Sequence, residues 1–406
     1  MMNSLFRSAP PHPLVKGDTI GVCAPSSIFD KTLLMKGVKK MEDLGFNIYI
    51  PEAVYSRKRY MAGDDAVRTR VINELFADPS VKGIVCARGG FGAIRLLEYL
   101  DFDLISSNPK VFVGFSDITA LLCAFSLKVP FHLFHGPVLT SMAVACDKTM
   151  NSLYEHLTWS PESVCSDIGV SQQNGECQEI GGCQEIGGCQ EIGGCQEIGG
   201  CQEIGECQEI GESQMIGGCQ KIGDCPEISV SCDPLSVVLR HGKVTGRLTG
   251  GNLATLCHLI GTPFQPDFRE SILFLEDIGE QPYKIDRMLS HMKLASLFDG
   301  VRGVILGSFE KCGISGKKKE ADRFNSCVNV SSSCYERPED SDEYLIHEIF
   351  MEIFDSHDVP VMTGFPSGHG DVNCTMRFSA EVIMDTTTRS LRWPADTSYI
   401  KINRHG

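Results

Sequence analysis

No stretch of this 406-residue chain reaches the run of about 18 apolar residues that a membrane-spanning helix needs, so none is expected. An excess of basic charge is also missing. The formal net charge is −15, from 37 Lys and Arg against 52 Asp and Glu, which argues against nucleic acid or an anionic membrane as partner. The opening stretch MMNSLFRSAPPHPLVKGD lacks the apolar core of about 7–15 residues that a signal peptide carries. It reads as an unstructured tail, and the chain is expected in the cytoplasm. No CxxC pair occurs among the 19 cysteines. Eight of them belong to one repeat tract, and most others sit in apolar company, as in Val22-Cys23-Ala24 and Val85-Cys86-Ala87. They read as reduced, buried thiols rather than disulfides. The glycine-rich fragment Gly89–Gly92 lacks the Lys-Ser/Thr of a Walker A loop.

What is present is ordinary for a globular protein: 42% hydrophobic and 22% charged residues, with length for two domains. Apolar runs at Thr19–Ala24, Asn47–Ile50, Gly83–Ala87, Val111–Val113 and Pro130–Phe134 read as strands. Helical spacing separates them, as in Leu34, Val38, Met41 and Leu44 ahead of Gly45. Strand and helix alternate throughout the first half. Short apolar strands of this kind belong to a parallel sheet covered on both faces, with ligands beyond the strand carboxyl ends. The second half repeats the theme. Lys243–Leu248, Ile272–Leu275, Val301–Leu306, Val359–Met362 and Ala380–Met384 read as strands, and Gly250-Gly251-Asn252 reads as the opening of a helix.

Between the halves the composition changes. Isoleucine recurs every six residues from Ile180 to Ile228 in variants of IGGCQE. An Ile-Gly step of that period resembles a left-handed β-helix, but glutamine stands where that pattern needs a small residue. The tract reads as a low-complexity insertion with no fixed structure. The expected division is therefore 1–165, a first α/β domain; 166–233, the insertion; and 234–406, a smaller second α/β domain. Residues 313–342 are polar and read as an exposed loop or lid.

The stretch Lys110–Leu122, KVFVGFSDITALL, reads as a buried strand, a sharp turn and a helix. A serine on such a turn has the placement of a nucleophile. Ser116 also fits a plain helix N-cap, with Asp117 at the positive end of the helix dipole. A serine nucleophile needs a base, and the base needs an orienting acid. His369 stands in a glycine-rich loop after a strand, and His135 stands at a strand end in the first half; both remain candidates for the base. Glu276 ends an apolar strand and suits the acid. It equally suits a loop-capping carboxylate paired with Lys284 or Arg287, and Glu280 is its nearest alternative. An oxyanion needs backbone donors. The Asp117 N–H at a helix start and the Gly89-Gly90 turn are the candidates.

Five segments in order resemble the LD-carboxypeptidase family of serine peptidases, which includes the microcin immunity proteins. They are GDTIGVCAPSS at Gly17–Ser27, ARGGFGAIRLLEYLDFDLI at Ala87–Ile105, KVFVGFSDITALL at Lys110–Leu122, LFLEDIGEQPYKIDRML at Leu273–Leu289 and GFPSGH at Gly364–His369. The resemblance implies a triad of Ser116, His369 and Glu276 at a domain interface. It implies Gly90 and Asp117 amides around the oxyanion, no metal or other cofactor, and a homodimer. The implied fold is an N-terminal flavodoxin-like or class I amidotransferase-like parallel-sheet domain plus a C-terminal swivelling β/α domain. The implied reaction is hydrolysis of an amide between an L-centre and a terminal D-amino acid, on a small peptide or muropeptide. Cleavage of peptidyl- or aminoacyl-nucleotides is the alternative within the same chemistry. A catalytically inactive binding protein is the alternative outside it.

Overall fold

Buried apolar runs set the first sheet. In the computed structural model, which describes residues 12–131, 133–158, 228–231, 236–313 and 342–394, the first half gives eleven elements in order. They are β1 (Thr19–Cys23), α1 (Lys31–Asp43), β2 (Asn47–Tyr49), α2 (Asp65–Ala77), β3 (Val81–Cys86), α3 (Phe102–Ser107), β4 (Val111–Gly114), α4 (Thr119–Lys128), β5 (Leu133–His135), α5 (Leu139–Met142) and α6 (Asp147–Thr158). The β2-β1-β3-β4-β5 strands are parallel and in the 2-1-3-4-5 order of flavodoxin-like sheets. Caps start the helices: the Asp30 side chain accepts from Leu33 N, and Asp64 accepts from Val67 N. Leu34, Val38 and Met41 then bury one face of α1.

Packing holds β4 in the middle of this sheet. The Phe112 and Phe125 rings meet edge to face at 5.0 Å, and Phe76 lies 6.1 and 5.9 Å from them. Each such buried ring contributes on the order of 2–3 kcal/mol of apolar burial, which fixes the strand that leads to Ser116.

The second half contains β6 (Ile228–Ser231), β7 (Val238–Arg240), β8 (Lys243–Asn252), α7 (Leu253–Cys257), β9 (Ser271–Ile278), α8 (Pro282–Leu294), β10 (Gly303–Glu310), α9 (Asp342–Phe354), β11 (Val361–Met362), β12 (Met376–Phe378), β13 (Glu381–Asp385) and β14 (Ser390–Trp393). Seven of these strands join β9 in an eight-stranded mixed sheet ordered β6-β14-β13-β8-β9-β10-β11-β7. Its β8-β9-β10-β11 centre is parallel and its flanks are antiparallel. By strand number this sheet exceeds the first. The remaining strand, β12, crosses to the first sheet and pairs antiparallel with β5, Met376 opposite His135. The chain after β11 thus completes the six-stranded sheet of the first half. Both sheets lie in one compact unit.

The expected helix start at Gly250-Gly251-Asn252 holds only at its last residue. Gly250 and Gly251 finish β8, paired with Phe274 and Leu275, while Asn252, paired with Glu276, ends the strand and caps α7, its side chain accepting from Thr255 N. After Gly92 the chain makes a single tight turn at Ala93–Leu96, and the Asp101 side chain then accepts from Leu104 N at the start of α3. Of the hexapeptide tract only Ile228–Ser231 lies within the described residues, where it forms β6. Residues 314–341 of the polar loop lie outside them.

Candidate active site

Ser116 sits just past the carboxyl end of β4, beside the loops that follow β1 and β3. Its backbone has φ +65°, a left-handed conformation that costs a non-glycine residue about 1–3 kcal/mol. A strained strand-to-helix turn of this sort lifts a serine hydroxyl clear of the backbone. The plain capping role does not hold. Phe115 occupies the cap position, no side chain caps this turn, and the Ser116 hydroxyl faces elsewhere.

It faces His369. Nε2 of His369 lies 3.0 Å from Ser116 Oγ, and Nδ1 lies 2.6 Å from Glu276 Oε2. The three residues the sequence put forward are therefore in one hydrogen-bonded line across the two sheets. Glu276 is fully buried within β9 rather than at its end, since the strand continues to Ile278. Its alternative pairings are not made: Lys284 pairs with Glu280 at 3.2 Å, and the Arg287 guanidinium lies over the Tyr283 ring.

The loop carrying His369 is held on both sides. Asn373 Oδ1 accepts from the Gly368 N–H at 3.1 Å, and Ser308 Oγ accepts from the Gly370 N–H at 2.9 Å. Gly368 has φ +112°, which a side chain rarely adopts. The Phe115 ring packs 4.9 Å from the imidazole. Burial works against a charged His369, but the hydrogen bond and charge of Glu276, with the charges of Asp277 and Glu310, outweigh it and raise its pKa. Asp277 is pushed up to about 6 by burial and by the charge of Glu276. Its carboxylate accepts from Asn252 Nδ2 at 3.0 Å and from Ala254 N at 2.9 Å.

His135 is excluded from this line. It is fully buried, between the Phe274 ring at 5.1 Å and the Phe378 ring at 5.3 Å. Burial pushes its pKa down to about 3, so it stays neutral. Its nearest polar partner is Ser367 Oγ, 3.4 Å from Nδ1. Phe378 belongs to β12, and this covering strand comes from the far end of the chain.

The Gly89-Gly90 turn lies against the serine. A Cβ on Gly89 would stand 2.9 Å from Ser116 Cβ and 3.1 Å from its Oγ, so a side chain there would displace the serine. The Gly89 carbonyl accepts from Ser27 N at 3.3 Å. In a trans peptide the Gly90 N–H points the opposite way. Asp117 has a second role that the sequence did not suggest. Its side chain accepts from Ser26 Oγ at 2.6 Å and from Ala93 N at 2.8 Å. Burial raises its pKa, against those two hydrogen bonds and the charge of Arg68. Among the described residues, no group of three or more His, Cys, Asp and Glu is gathered as a metal site requires. No described helix is long and apolar enough to cross a membrane.

The arrangement suits nucleophilic acyl transfer: a hydroxyl, a base within hydrogen-bond reach, and an acid that orients the base. Comparison with known proteins gives the family. Residues 20–136 match the LD-carboxypeptidase N-terminal domain and residues 245–384 the LD-carboxypeptidase C-terminal domain. The chain is 27% identical over 383 residues to a probable murein peptide carboxypeptidase of Bacillus subtilis, covering 94% of this chain and 92% of that one. It is 25% identical over 387 residues to the microcin self-immunity protein MccF of Escherichia coli, covering 93% and 94%. A solved structure of wild-type MccF in the apo state is similar with a TM-score of 0.66 at 25% identity, over 95% of this chain and 98% of that one.

Proposed function

The chain belongs to the LD-carboxypeptidase family, and from that membership we propose a serine carboxypeptidase that hydrolyses the amide between an L-centre and a terminal D-amino acid, as when a muropeptide loses D-Ala. The observation that carries the proposal is the line Ser116 Oγ, His369 Nε2, His369 Nδ1, Glu276 Oε2, with separations of 3.0 and 2.6 Å.

In the proposed mechanism Ser116 Oγ attacks the scissile carbonyl while His369 Nε2 takes its proton. Glu276 holds the imidazole by Nδ1 and stabilises the imidazolium that forms. The Gly90 and Asp117 N–H groups carry the oxyanion, a contribution of about 10²–10³ in rate for each donor. The tetrahedral adduct collapses, the C–N bond breaks, and His369 returns the proton to the leaving amine. Water then attacks the acyl-serine, giving up its proton to His369, and Ser116 is released. Gly89 closing on Ser116 supports the Gly90 assignment, and the start of a helical turn at Ser116 supports Asp117. By family likeness we also assign a cytoplasmic homodimer, and read the second sheet as the swivelling domain.

The similarity to MccF favours one second reading, in which the same residues cleave a peptidyl- or aminoacyl-nucleotide. The inactive binding protein is disfavoured by the intact line of three residues. The deciding experiment incubates the protein and its Ser116→Ala variant with an L,D-tetrapeptide and follows D-Ala. Release by the wild type alone supports the carboxypeptidase. Turnover of an aminoacyl adenylate without D-Ala release moves the substrate to the nucleotide class. Inactivity on both returns the binding protein.

A further inference from the structure

Arg68 is a guanidinium with only 2% of its surface exposed, on a helix whose neighbouring buried positions are Val71, Ile72 and Leu75. Burying it is costly, and Nε has no hydrogen-bond partner among the described residues. An apolar side chain would fill the same space without that cost. What Arg68 has instead is a set of loop partners. Nη1 donates to the carbonyl of Pro25 and, at 3.0 Å, to the carbonyl of Gly92. Nη2 donates to Asp65 Oδ1 and lies 3.3 Å from Met61 Sδ. Asp65 is held in turn by Arg95, whose Nε and Nη2 reach its carboxylate at 3.0 and 2.5 Å.

Pro25 and Gly92 belong to the loops after β1 and β3, the two that border Ser116. The Gly89–Gly92 turn is anchored at its start by Ser27 N donating to Gly89 O at 3.3 Å, and by Phe91 N donating to Ser27 Oγ at 3.0 Å. It is anchored at its end by the Arg68 bond to Gly92 O and by Ala93 N donating to Asp117. Arg68 ties the end of this turn to the loop that anchors its start. A Cβ on Gly92 would come within 2.7 Å of Nη1, so the guanidinium lies flush against the turn.

We propose that Arg68 is a positioning residue for the oxyanion turn: by bridging Pro25 O and Gly92 O it holds the Gly90 amide where a tetrahedral adduct on Ser116 needs it. The inference rests on the reading of Ser116 as nucleophile and Gly90 as donor. Without the bridge, residues 90–92 relax and the amide drifts. A 1 Å drift costs about a hundredfold in rate. Substrate binding and the His369–Glu276 pair are untouched.

The test needs no knowledge of the substrate. A fluorophosphonate labels an activated serine: Ser116 Oγ bonds to phosphorus, fluoride leaves with the serine proton, and the phosphoryl oxygen occupies the oxyanion position. The full chain, Arg68→Met and Arg68→Lys are compared for labelling rate against pH and for Tm. We expect Arg68→Met to label about a hundredfold more slowly than wild type, with its Tm and the acid limb of its pH profile unchanged. Arg68→Lys, which reaches one carbonyl, falls between them. Should Arg68→Met not fold, Arg68→Lys carries the comparison alone. Labelling of the variants within about threefold of wild type would overturn the inference. A slowdown that moves the acid limb does so too, since it places the damage at His369. Loss of the fold in both variants makes Arg68 a requirement of folding and also sinks it. A wild type that is not labelled at all removes the nucleophile reading itself, a separate outcome from a labelled wild type with unaffected variants.

Discussion

Gly368 and Glu276 stand so close that a Cβ on the first would lie 2.8 Å from Oε2 of the second. Glycine immediately before His369 lets the buried carboxylate reach the imidazole. Gly368→Ala would force the φ +112° loop or the carboxylate to move. We expect kcat to fall about a hundredfold, with the fold retained. Activity within a few-fold of wild type, measured on whichever substrate the protein turns over, would show that the contact is slack.

Ser116, His369 and Glu276 should behave as one unit. Ser116→Ala and His369→Ala are each expected to lower kcat by several powers of ten, about 10³–10⁶, and the double variant should be no worse than the more damaging single one. Steady-state kinetics of the three proteins reads this directly. Losses that multiply in the double variant would mean that the two residues act in separate steps.

The pH profile follows from charge. Glu276, Asp277 and Glu310 hold the pKa of His369 above its ordinary 6.5 against the opposing effect of burial. A base works only when neutral, so kcat/KM should decline as pH falls through a value above 6.5. The same shift stabilises the fold below the unfolded-state pKa, and that contribution fades as pH rises through the folded-state value. Asp277, pushed up to about 6, is largely ionised where His369 titrates. Asp277→Asn removes one of the raising charges and should move the acid limb downward. An unmoved or rising limb would show that Asp277 does not act on His369.

Much of this site was legible because polar residues at the ends of apolar runs fall on one edge of a parallel sheet. Ser116, His369 and the Gly89-Gly90 turn were found that way, and Glu276 nearly so. The same rule put His135 forward as well. What separates the two histidines is β12, whose Phe378 covers His135. That pairing joins segments far apart in sequence, and no local pattern announces it. The left-handed backbone of Ser116 is likewise set by its surroundings, since serine has no preference for it. Arg68 did leave a signal: a charged residue at the helical spacing of Val71, Ile72 and Leu75. Its partners, backbone carbonyls in two distant loops, leave none. In the run Gly250-Gly251-Asn252 the asparagine caps the helix as expected, but the glycines misled for a different reason. Glycines at a helix start and glycines at a strand's last residues have the same composition.

The two sheets must also stay in register, because each supplies part of the site. One tie is explicit. Thr119, three residues after Ser116, accepts from the Asn252 N–H at 3.0 Å, and Asn252 Nδ2 reaches Asp277, the neighbour of Glu276, at 3.0 Å. Thr119 is fully buried and Asn252 nearly so. Thr119→Val keeps the shape and removes the acceptor, leaving that donor unsatisfied. Stability should fall by about 1–3 kcal/mol, read from urea unfolding. If the tie also sets the distance between Ser116 and His369, kcat should fall about tenfold or more with KM little changed, since a loosened line costs the transition state rather than the bound substrate. A variant that loses stability but keeps its kcat would assign the tie to folding alone. The alignment of the triad would then rest on the loops that hold His369 and Ser116 individually.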